Sequence, residues 1–264
     1  MTVLLSASRL TKQFTGLLAV NEVDVEVVAG SVHGIIGPNG AGKTTLFNLI
    51  SGLLPSTSGT LTLDGRDVTS APPYQRTRLG VARTFQNIRM FSDMTVVENV
   101  MTGMHTRLES SGLAALLRLP AFRREERAAK AKAMELLEFV RLADKAGLRS
   151  GDLSYGDQRR LEIARALAGN PRLLLLDEPA AGMNPTETRD LAALLRQVAR
   201  RDITLLLVEH NMGFVMDLCD RITVLNFGRK IAEGTAREVR DDPAVIEAYL
   251  GTKVAERLAK AHGA

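Results

Sequence analysis

The chain has 264 residues, 45% of them hydrophobic and 24% charged, so it is long enough to bury the core of one large domain. Basic residues outnumber acidic ones by only four (34 against 30), so a solvated basic surface explains the pI of about 9.4 better than a nucleic-acid or membrane partner does. The single cysteine, Cys219, excludes an internal disulfide, supports no zinc site and is typical of a reducing cytoplasm.

Residues 1–5 are too short for a signal-peptide core, and the longest apolar runs are far below membrane-spanning length. Residues 1–30 then alternate apolar and polar side chains, with Val23, Val25 and Val27 on one face, which predicts a half-buried antiparallel strand. Residues 60–65 continue this pattern and end in an Asp-Gly turn. The beginning of the chain therefore predicts an antiparallel β layer.

Residues 37–44, which lie between these two predicted β segments, match the phosphate-binding loop G-x-x-x-x-G-K-[ST] without a mismatch. The apolar residues 31–36 before it predict a buried strand, and residues 45–50 after it predict the first turns of a helix. A glycine-rich turn before a helix is the alternative, but this context favours backbone N–H groups that hold phosphate oxygens. Lys43 would reach the β- and γ-phosphates and the Thr44 hydroxyl would bind Mg²⁺. The predicted nucleotide-binding residues of this segment are Gly37, Pro38, Asn39, Gly40, Ala41, Gly42, Lys43, Thr44 and Thr45.

Residues 90–150 are rich in helix-forming residues, and residues 122–139 predict a charged helix. Four of the nine methionines lie close together just after Gln86, with Ile88 and Phe91 beside them. Flexible thioether side chains adapt to the shape of a partner, although methionines that fill an ordinary core are an equal alternative. These methionines are Met90, Met94, Met101 and Met104.

Helices and strands alternate from residue 158 to residue 235, which predicts an α/β fold with a parallel sheet. The predicted helices span residues 159–168 and 186–200, and the predicted strands span 173–176, 203–208 and 222–225. Asp242 and Pro243 predict the start of a last helix that Gly251 ends. Residues 252–264 form a basic C-terminal tail, expected to dock loosely rather than to anchor in a membrane.

Two carboxylates, Asp177 and Glu178, end the apolar strand at residues 173–176. Ligands bind outside the carboxyl ends of parallel strands, so both side chains should face the phosphate site. Asp177 would help to hold Mg²⁺, and Glu178 would accept a proton from the attacking water. The alternative is that the two acidic residues merely end a strand and have no catalytic role. The phosphate loop earlier in the chain favours the catalytic interpretation.

Residues 153–160, Leu-Ser-Tyr-Gly-Asp-Gln-Arg-Arg, resemble the Leu-Ser-Gly-Gly-Gln signature of ATP-binding cassette (ABC) ATPases. Together with the phosphate loop, Gln86, the pair Asp177-Glu178 and His210, they give the motifs of that family in family order. The resemblance covers residues 3–251. It implies a phosphate-loop NTPase core with a parallel sheet, an antiparallel β layer and a helical subdomain at about residues 88–160, all within one ABC ATPase domain of residues 1–251.

The resemblance implies that ATP and Mg²⁺ are the cofactors and that two cassettes pack head to tail around them. Ser154 and Gly156 would then act on the γ-phosphate held by the partner chain, although Ser154 also fits the N-cap of a helix. His210 would contact the γ-phosphate and order the water with Glu178, and Gln86 would join the Mg²⁺ shell. Phe14 occupies the position of an adenine-stacking aromatic residue, with a core role as the alternative. Three positions depart from the family pattern, namely Tyr155, Asp157 and Asn184.

Within the family, residues 83–91, 153–167 and 180–185 resemble the longer ATPase type of bacterial branched-chain amino acid importers. This implies a peripheral subunit on the cytoplasmic face of the inner membrane that drives a separate permease. The permease would dock near Ile88 to Met104, a second ATPase subunit would be a paralogue or another copy of the chain, and an extracytoplasmic solute-binding protein would act indirectly. A lipopolysaccharide-export ATPase is second choice, and a non-transport ABC ATPase acting on nucleic acid or protein assemblies is the rival class. No specific nucleic acid is expected.

Overall fold

The computed structural model describes residues 2–86, 88–104 and 120–250, and within them the side chains of all but residues 120–123 and 250. A six-stranded sheet lies at its centre in the order β10-β9-β3-β8-β7-β6. The strands from β9 to β6 are parallel, and β10 pairs antiparallel with β9 at one edge. Their bounds are Val32–Ile36 (β3), Val81–Arg83 (β6), Leu173–Asp177 (β7), Thr204–Val208 (β8), Arg221–Asn226 (β9) and Arg229–Gly234 (β10).

Three of these strands confirm the parallel core expected from continuous apolar runs. Every residue of β3, β7 and β8 is buried, which is possible only when both faces of the sheet are covered. Strand β7 extends one residue beyond the predicted run, so that Asp177 is its last residue. The carboxyl end of β7 therefore carries the first of the two acidic residues directly into the site.

A second, antiparallel sheet of four strands has the order β2-β1-β4-β5 and confirms the predicted β layer. Side chains of β2 alternate between buried and exposed from Val23 to Val27, as predicted. The turn after β4 places both Asp64 and Gly65 at positive φ, the geometry that Asp-Gly favours between antiparallel strands. The bounds are Val3–Phe14 (β1), Leu17–Val28 (β2), Ser58–Leu63 (β4) and Arg66–Asp67 (β5).

Helices surround the six-stranded sheet, and their ends differ from the sequence predictions at capping residues. Ser154 caps a helix that begins at Tyr155 rather than at Arg159, and Asn184 caps one that begins at Pro185. Gly251 and the tail of residues 252–264 lie outside the described residues. The bounds are Lys43–Ser51 (α1), Pro73–Arg78 (α2), Val96–Thr102 (α3), Pro120–Phe139 (α4), Tyr155–Ala168 (α5), Pro185–Ala199 (α6), Met212–Leu218 (α7), Ala236–Asp241 (α8) and Pro243–Leu250 (α9).

Two hydrophobic cores cover the two faces of the six-stranded sheet. One lies between the two sheets and includes Phe47 of α1, and the other lies under α3 to α7 and includes Leu161 of α5. Within the described residues, no helix combines the length and the apolar character that crossing a bilayer requires. The packing leaves the carboxyl ends of β3, β7 and β8 at one edge, where the predicted site residues meet.

Candidate active site

The phosphate loop turns between β3 and α1 in a way that requires glycine. Gly37 and Gly42 both have positive φ, and a Cβ atom on either would collide with a backbone oxygen, that of Leu225 for Gly37 and that of Ala19 for Gly42. Helix α1 begins at Lys43, so its unpaired N–H groups and positive dipole end face the loop. The loop is therefore a preformed cradle for an anion such as a phosphate.

Lys43 is buried inside this cradle, where its ammonium donates to the carbonyl oxygens of Gly37 (2.8 Å) and Pro38 (2.9 Å). Burial lowers the pKa of Lys43, while the negative charge of Glu178 acts in the opposite direction. An ammonium held in this way gains a strong partner when a phosphate arrives. The geometry fits the phosphate contact expected for Lys43 from the sequence.

Asp177 has an intramolecular counter-ion that the sequence did not reveal. Nη2 of Arg83, the last residue of β6, lies 2.7 Å from Oδ2 of Asp177, and both side chains are 9% exposed. Nη1 of Arg83 donates to Asn48 and Ser51 of α1, so the guanidinium connects three elements around the carboxylate. By holding Oδ2 of Asp177, Arg83 also fixes the direction of the second oxygen of the same carboxylate. An arginine that ends a buried strand was the only sequence signal.

Glu178 lies between the two residues that family resemblance assigned to its site. Its Oε1 is 2.9 Å from Nε2 of His210, and its Oε2 accepts Nε2–H of Gln86 at 2.9 Å. Glu178 follows β7 with φ of 46°, a left-handed conformation that is uncommon outside glycine and that turns its side chain away from the strand. Two side chains from distant parts of the chain, Gln86 and His210, therefore converge on the Glu178 carboxylate.

Glu209, which the sequence analysis did not select, stabilises the two loops that carry Glu178 and His210. Its Oε1 accepts the N–H of Ala180 at 2.7 Å, and its Oε2 accepts the N–H of His210 at 2.9 Å. The side chain is almost fully buried. An acidic residue directly before a predicted site histidine was the signal that could have identified it.

The signature segment forms the beginning of α5. The Ser154 hydroxyl accepts the N–H of Asp157 at 3.3 Å, which confirms Ser154 as an N-cap, and Asp157 pairs with Lys145 at 2.6 Å. A Cβ atom on Gly156 would lie 3.2 Å from the carboxylate of Glu187, so glycine leaves space there for the neighbouring side chain. Among the described residues that line the cleft at the phosphate loop, neither Ser154 nor Gly156 is found. Action on a nucleotide in another chain is consistent with this separation.

A cleft of about 360 Å³ extends from the phosphate loop and offers space for a nucleoside. Its apolar wall comes from the β1–β2 hairpin and from Phe227 in the β9–β10 turn, which is 85% exposed. Phe14 is not among the residues that line this cleft in the described chain; Nζ of Lys12 lies 5.2 Å from its ring centre instead. The adenine contact of Phe14 therefore stays a prediction. The cleft is lined by Leu17, Leu18, Ala19, Gly40, Ala41, Gly42, Lys43, Thr44, Thr45, His210, Phe227 and Gly228.

The residues expected to bind Mg²⁺ offer oxygen atoms, which that ion prefers. Thr44 lines the cleft, Asp177 ends β7, and the amide of Gln86 lies against Glu178. Within the described parts of the chain, no group of three or more His, Cys, Asp or Glu side chains is arranged to hold a metal.

A larger groove of about 740 Å³ separates α2 and β6 from α3 and α5. Of the four clustered methionines only Met101 lines it, beside Phe91 and Arg89. Met104 is a buried core residue, Met90 packs against the core and Met94 is exposed outside the groove, so Met101 is the one of the four whose position fits the predicted cleft. The lining of the groove is mainly apolar and includes four arginines, namely Arg76, Arg83, Arg89 and Arg165.

The C-terminal helix α9 also reaches the site. Burial raises the pKa of Tyr249, and a hydrogen bond with the backbone of Gly37, the first residue of the phosphate loop, opposes this shift. The sequence contained no signal for this contact, because Tyr249 lies in a short helix far from Gly37 along the chain.

The chain is similar to proteins of known families. A family described as ABC transporter matches residues 20–181, and one described as branched-chain amino acid ATP-binding cassette transporter matches residues 229–255. The high-affinity branched-chain amino acid transport ATP-binding protein BraF of Pseudomonas aeruginosa is 49% identical over 94% of this chain and 98% of its own length. LivG of Escherichia coli, which has the same description, is 45% identical over the same shares. The lipopolysaccharide export system ATP-binding protein LptB of Acidithiobacillus ferridurans is 36% identical over 95% of this chain and 98% of its own.

Solved structures show the same fold. The ADP conformation of an ATP-binding cassette of an ABC transporter has a TM-score of 0.84 and 34% identity, and the match covers 96% of this chain and 100% of that one. A dimeric bacterial ABC transporter cassette has a TM-score of 0.74 and 25% identity over 88% of this chain and 99% of that one.

Proposed function

This chain belongs to the ABC transporter family, and we propose that it is the ATP-hydrolysing subunit that drives a separate membrane permease for the uptake of branched-chain amino acids. The observation that carries the catalytic part of the proposal is the position of Glu178, which lies between His210 and Gln86 at the carboxyl end of β7. The substrate class is supported by the names of BraF and LivG and by the C-terminal match at residues 229–255.

In the proposed reaction, the phosphate loop and Lys43 bind the phosphates of ATP and stabilise the charge that develops on them. Glu178 accepts a proton from the attacking water, and His210 holds that carboxylate and the water in line with the γ-phosphate. Thr44, Asp177 and Gln86 would hold Mg²⁺, which when bound neutralises phosphate charge. Arg83 keeps the Asp177 carboxylate in a single orientation for this task.

Each ATP is proposed to lie between two chains. Ser154 and Gly156 stand at the N-terminus of α5, where unpaired N–H groups attract an anion, and they lie away from the cleft of their own phosphate loop. They would therefore complete the site of a partner cassette, either a paralogue or another copy of this chain. The dimeric cassette described above supports pairing of two cassettes of this fold.

The permease is proposed to bind the groove between α2 and α5, near Met101 and Phe91, which places this subunit at the cytoplasmic face of the membrane. The mainly apolar lining of the groove suits a short amphipathic segment of the permease. Arg83 lines this groove and also pairs with Asp177, so it lies at both the groove and the nucleotide site. A solute-binding protein outside the membrane would act only through the permease. The alternative function, a subunit for lipopolysaccharide export, is less favoured, because LptB shares 36% identity with this chain whereas BraF shares 49%.

The catalytic proposal is tested with Glu178→Gln and Lys43→Ala. Glu178→Gln keeps a side chain of the same shape but removes the base, so ATP binding should persist while turnover falls by at least about 100-fold. Lys43→Ala should lose ATP binding itself, which is measured with a fluorescent ATP analogue. Near-normal hydrolysis by Glu178→Gln would refute the assignment of the base.

The transport proposal is tested with the subunit reconstituted in vesicles with the permease that co-purifies with it. ATP-dependent uptake of labelled leucine is expected, and the Glu178→Gln protein is the matched control. Transport of an unrelated solute, or capture of lipopolysaccharide-export components in place of an amino-acid permease, would contradict the substrate class.

A further inference from the structure

The guanidinium of Arg159 is fully buried between the first turn of α5 and the loop that follows β6. Its Nη1 donates to the backbone oxygen of Phe85 at 2.9 Å, and its Nη2 donates to that of Gln86 at 3.0 Å. The same Nη2 donates to the hydroxyl of Tyr155 at 3.3 Å. One side chain of α5 therefore holds two consecutive peptide units of the loop that carries Gln86.

Glu162, one turn further along α5, completes this attachment. Its Oε2 accepts Nη1–H of Arg159 at 2.7 Å, and its Oε1 accepts the N–H of Phe85 at 3.2 Å. Both polar backbone groups of Phe85 are thus bound to the helix. Arg159 and Glu162, with the backbone of Phe85 and Gln86 that they hold, are called the clamp below.

The clamp joins two elements that have different tasks in the proposed reaction. At one end, the side chain of Gln86 donates to Glu178 at 2.9 Å. At the other end, α5 begins with Ser154 and Tyr155, and the Tyr155 ring lies 3.5 Å from where a Cβ atom of Gly182 would be. The clamp therefore connects the loop that contacts the catalytic carboxylate to the helix end that carries Ser154 and Gly156.

We propose that Arg159 is a positioning residue that makes the Gln86 loop and the start of α5 move as one unit. The proposal rests on the function proposed above, in which Ser154 and Gly156 act on the nucleotide of the partner chain. A displacement of Gln86 at its own site is then passed to the helix end that completes the other site. Tyr155, which replaces a glycine of the family signature, is the outer contact of this connection.

A pair that served the stability of the fold alone would respond differently to substitution. Buried ion pairs contribute little net stability, and well-packed apolar side chains of similar volume replace them with little loss. Positioning instead depends on the donors and acceptors that hold the loop. Replacing Arg159 and Glu162 together by methionine removes the clamp and both members of its ion pair at once, and Arg165 is the nearby charge that loses the attraction of Glu162.

The experiment compares the purified full chain with the double variant Arg159→Met/Glu162→Met. The matched control is Arg160→Met, the next residue of α5, whose guanidinium pairs with Asp157 and Asp190 and not with the loop. The melting temperature, the Kd for ADP and the kcat of ATP hydrolysis are measured for each protein. The double variant should still unfold in one cooperative transition and keep a Kd within about twofold, while kcat falls at least about tenfold because the reacting groups are misplaced. The control should keep all three values.

A double variant with wild-type kcat and wild-type melting temperature overturns the proposal. If the double variant does not fold, Arg159→Lys and Tyr155→Phe decide the question, since lysine keeps the charge but cannot hold two peptide units. Both should lower kcat by about threefold or more at an unchanged Kd, and unchanged kcat in both overturns the proposal. A wild-type chain that neither binds nor hydrolyses ATP refutes the proposed function instead.

Discussion

His33 is the second residue of β3, the strand that leads into the phosphate loop, and we expect it to make the protein less stable in mild acid. The side chain is 1% exposed, and its Nε2 is 2.8 Å from the hydroxyl of Thr223 on β9. Burial lowers the pKa of His33 from 6.5 to about 4; the nearby Glu233 raises it, and Arg221 and Lys230 lower it further. The folded chain therefore keeps a neutral imidazole across the range in which an unfolded chain takes up a proton.

The magnitude follows from this difference in pKa between the unfolded and the folded chain. Above pH 6.5 the imidazole is neutral in both states and the full stability is present. As the pH falls from 6.5 to about 4, the unfolded state binds a proton that the folded state excludes, so the free energy of unfolding decreases. At about 1.4 kcal/mol per unit, the gap of about 2.5 units lowers the free energy of unfolding by about 3 kcal/mol. Domains are stable by only about 5–15 kcal/mol, so the loss is measurable.

Urea unfolding between pH 7.5 and pH 4.5 provides the assay, with His33→Gln as the variant. Glutamine can still bond Thr223 but does not titrate, so the variant should lose less stability than the wild type as the pH falls. The difference between the two stability curves isolates the proton that His33 binds, because the two chains share every other titrating group. Parallel stability curves for wild type and His33→Gln across this range would refute the reasoning.

Three further predictions concern the groove methionines, the nucleotide cleft and the basic surface. Met104→Glu should lower the melting temperature strongly, because a charge buried in the core costs several kcal/mol, whereas Met101→Glu should keep folding and ATPase activity but lose transport with the permease. Phe227→Asn should raise the melting temperature slightly, since asparagine tolerates φ of 44° better by about 1 kcal/mol, while ADP affinity measured by titration should fall if the ring covers the base. Binding of duplex DNA, followed by fluorescence anisotropy, should be weak and should disappear as salt approaches physiological strength; tight binding there would favour the nucleic-acid rival.

The sequence predicted the parts of the site that depend on short stretches of chain. The phosphate loop needs glycines at fixed spacing, and the buried strands before Gly37 and Asp177 need only continuous apolar residues. Because the carboxyl ends of parallel strands meet at one edge, the position of Glu178 near Lys43 also followed from the strand pattern. Helix ends were less accurate, since Ser154 and Asn184 each cap a helix that starts directly after them.

Contacts between distant parts of the chain could not be predicted in this way. Arg83 and Asp177 are 94 residues apart, and Arg159 binds backbone oxygens 73 and 74 residues away. No periodic pattern encodes such pairs, because an arginine at a strand end or in a helix is usually solvated. The clustered methionines show the same limit, as composition did not distinguish the core residue Met104 from the groove residue Met101.

The departures from the family signature acquire a physical meaning only through these distant contacts. Tyr155 does not simply replace a glycine, because its hydroxyl meets Arg159 and its ring lies beside Gly182. Asp157 likewise pairs with Lys145, and this ion pair holds the first turn of α5 against the short helical turn Ala143–Lys145. A glycine at position 155 would leave the Arg159 guanidinium with one acceptor fewer in a buried setting, where a missing hydrogen bond costs about 1–3 kcal/mol. The tyrosine and the clamp are therefore expected to depend on each other, and Tyr155→Gly should reduce turnover more in the wild type than in a chain that already lacks Arg159.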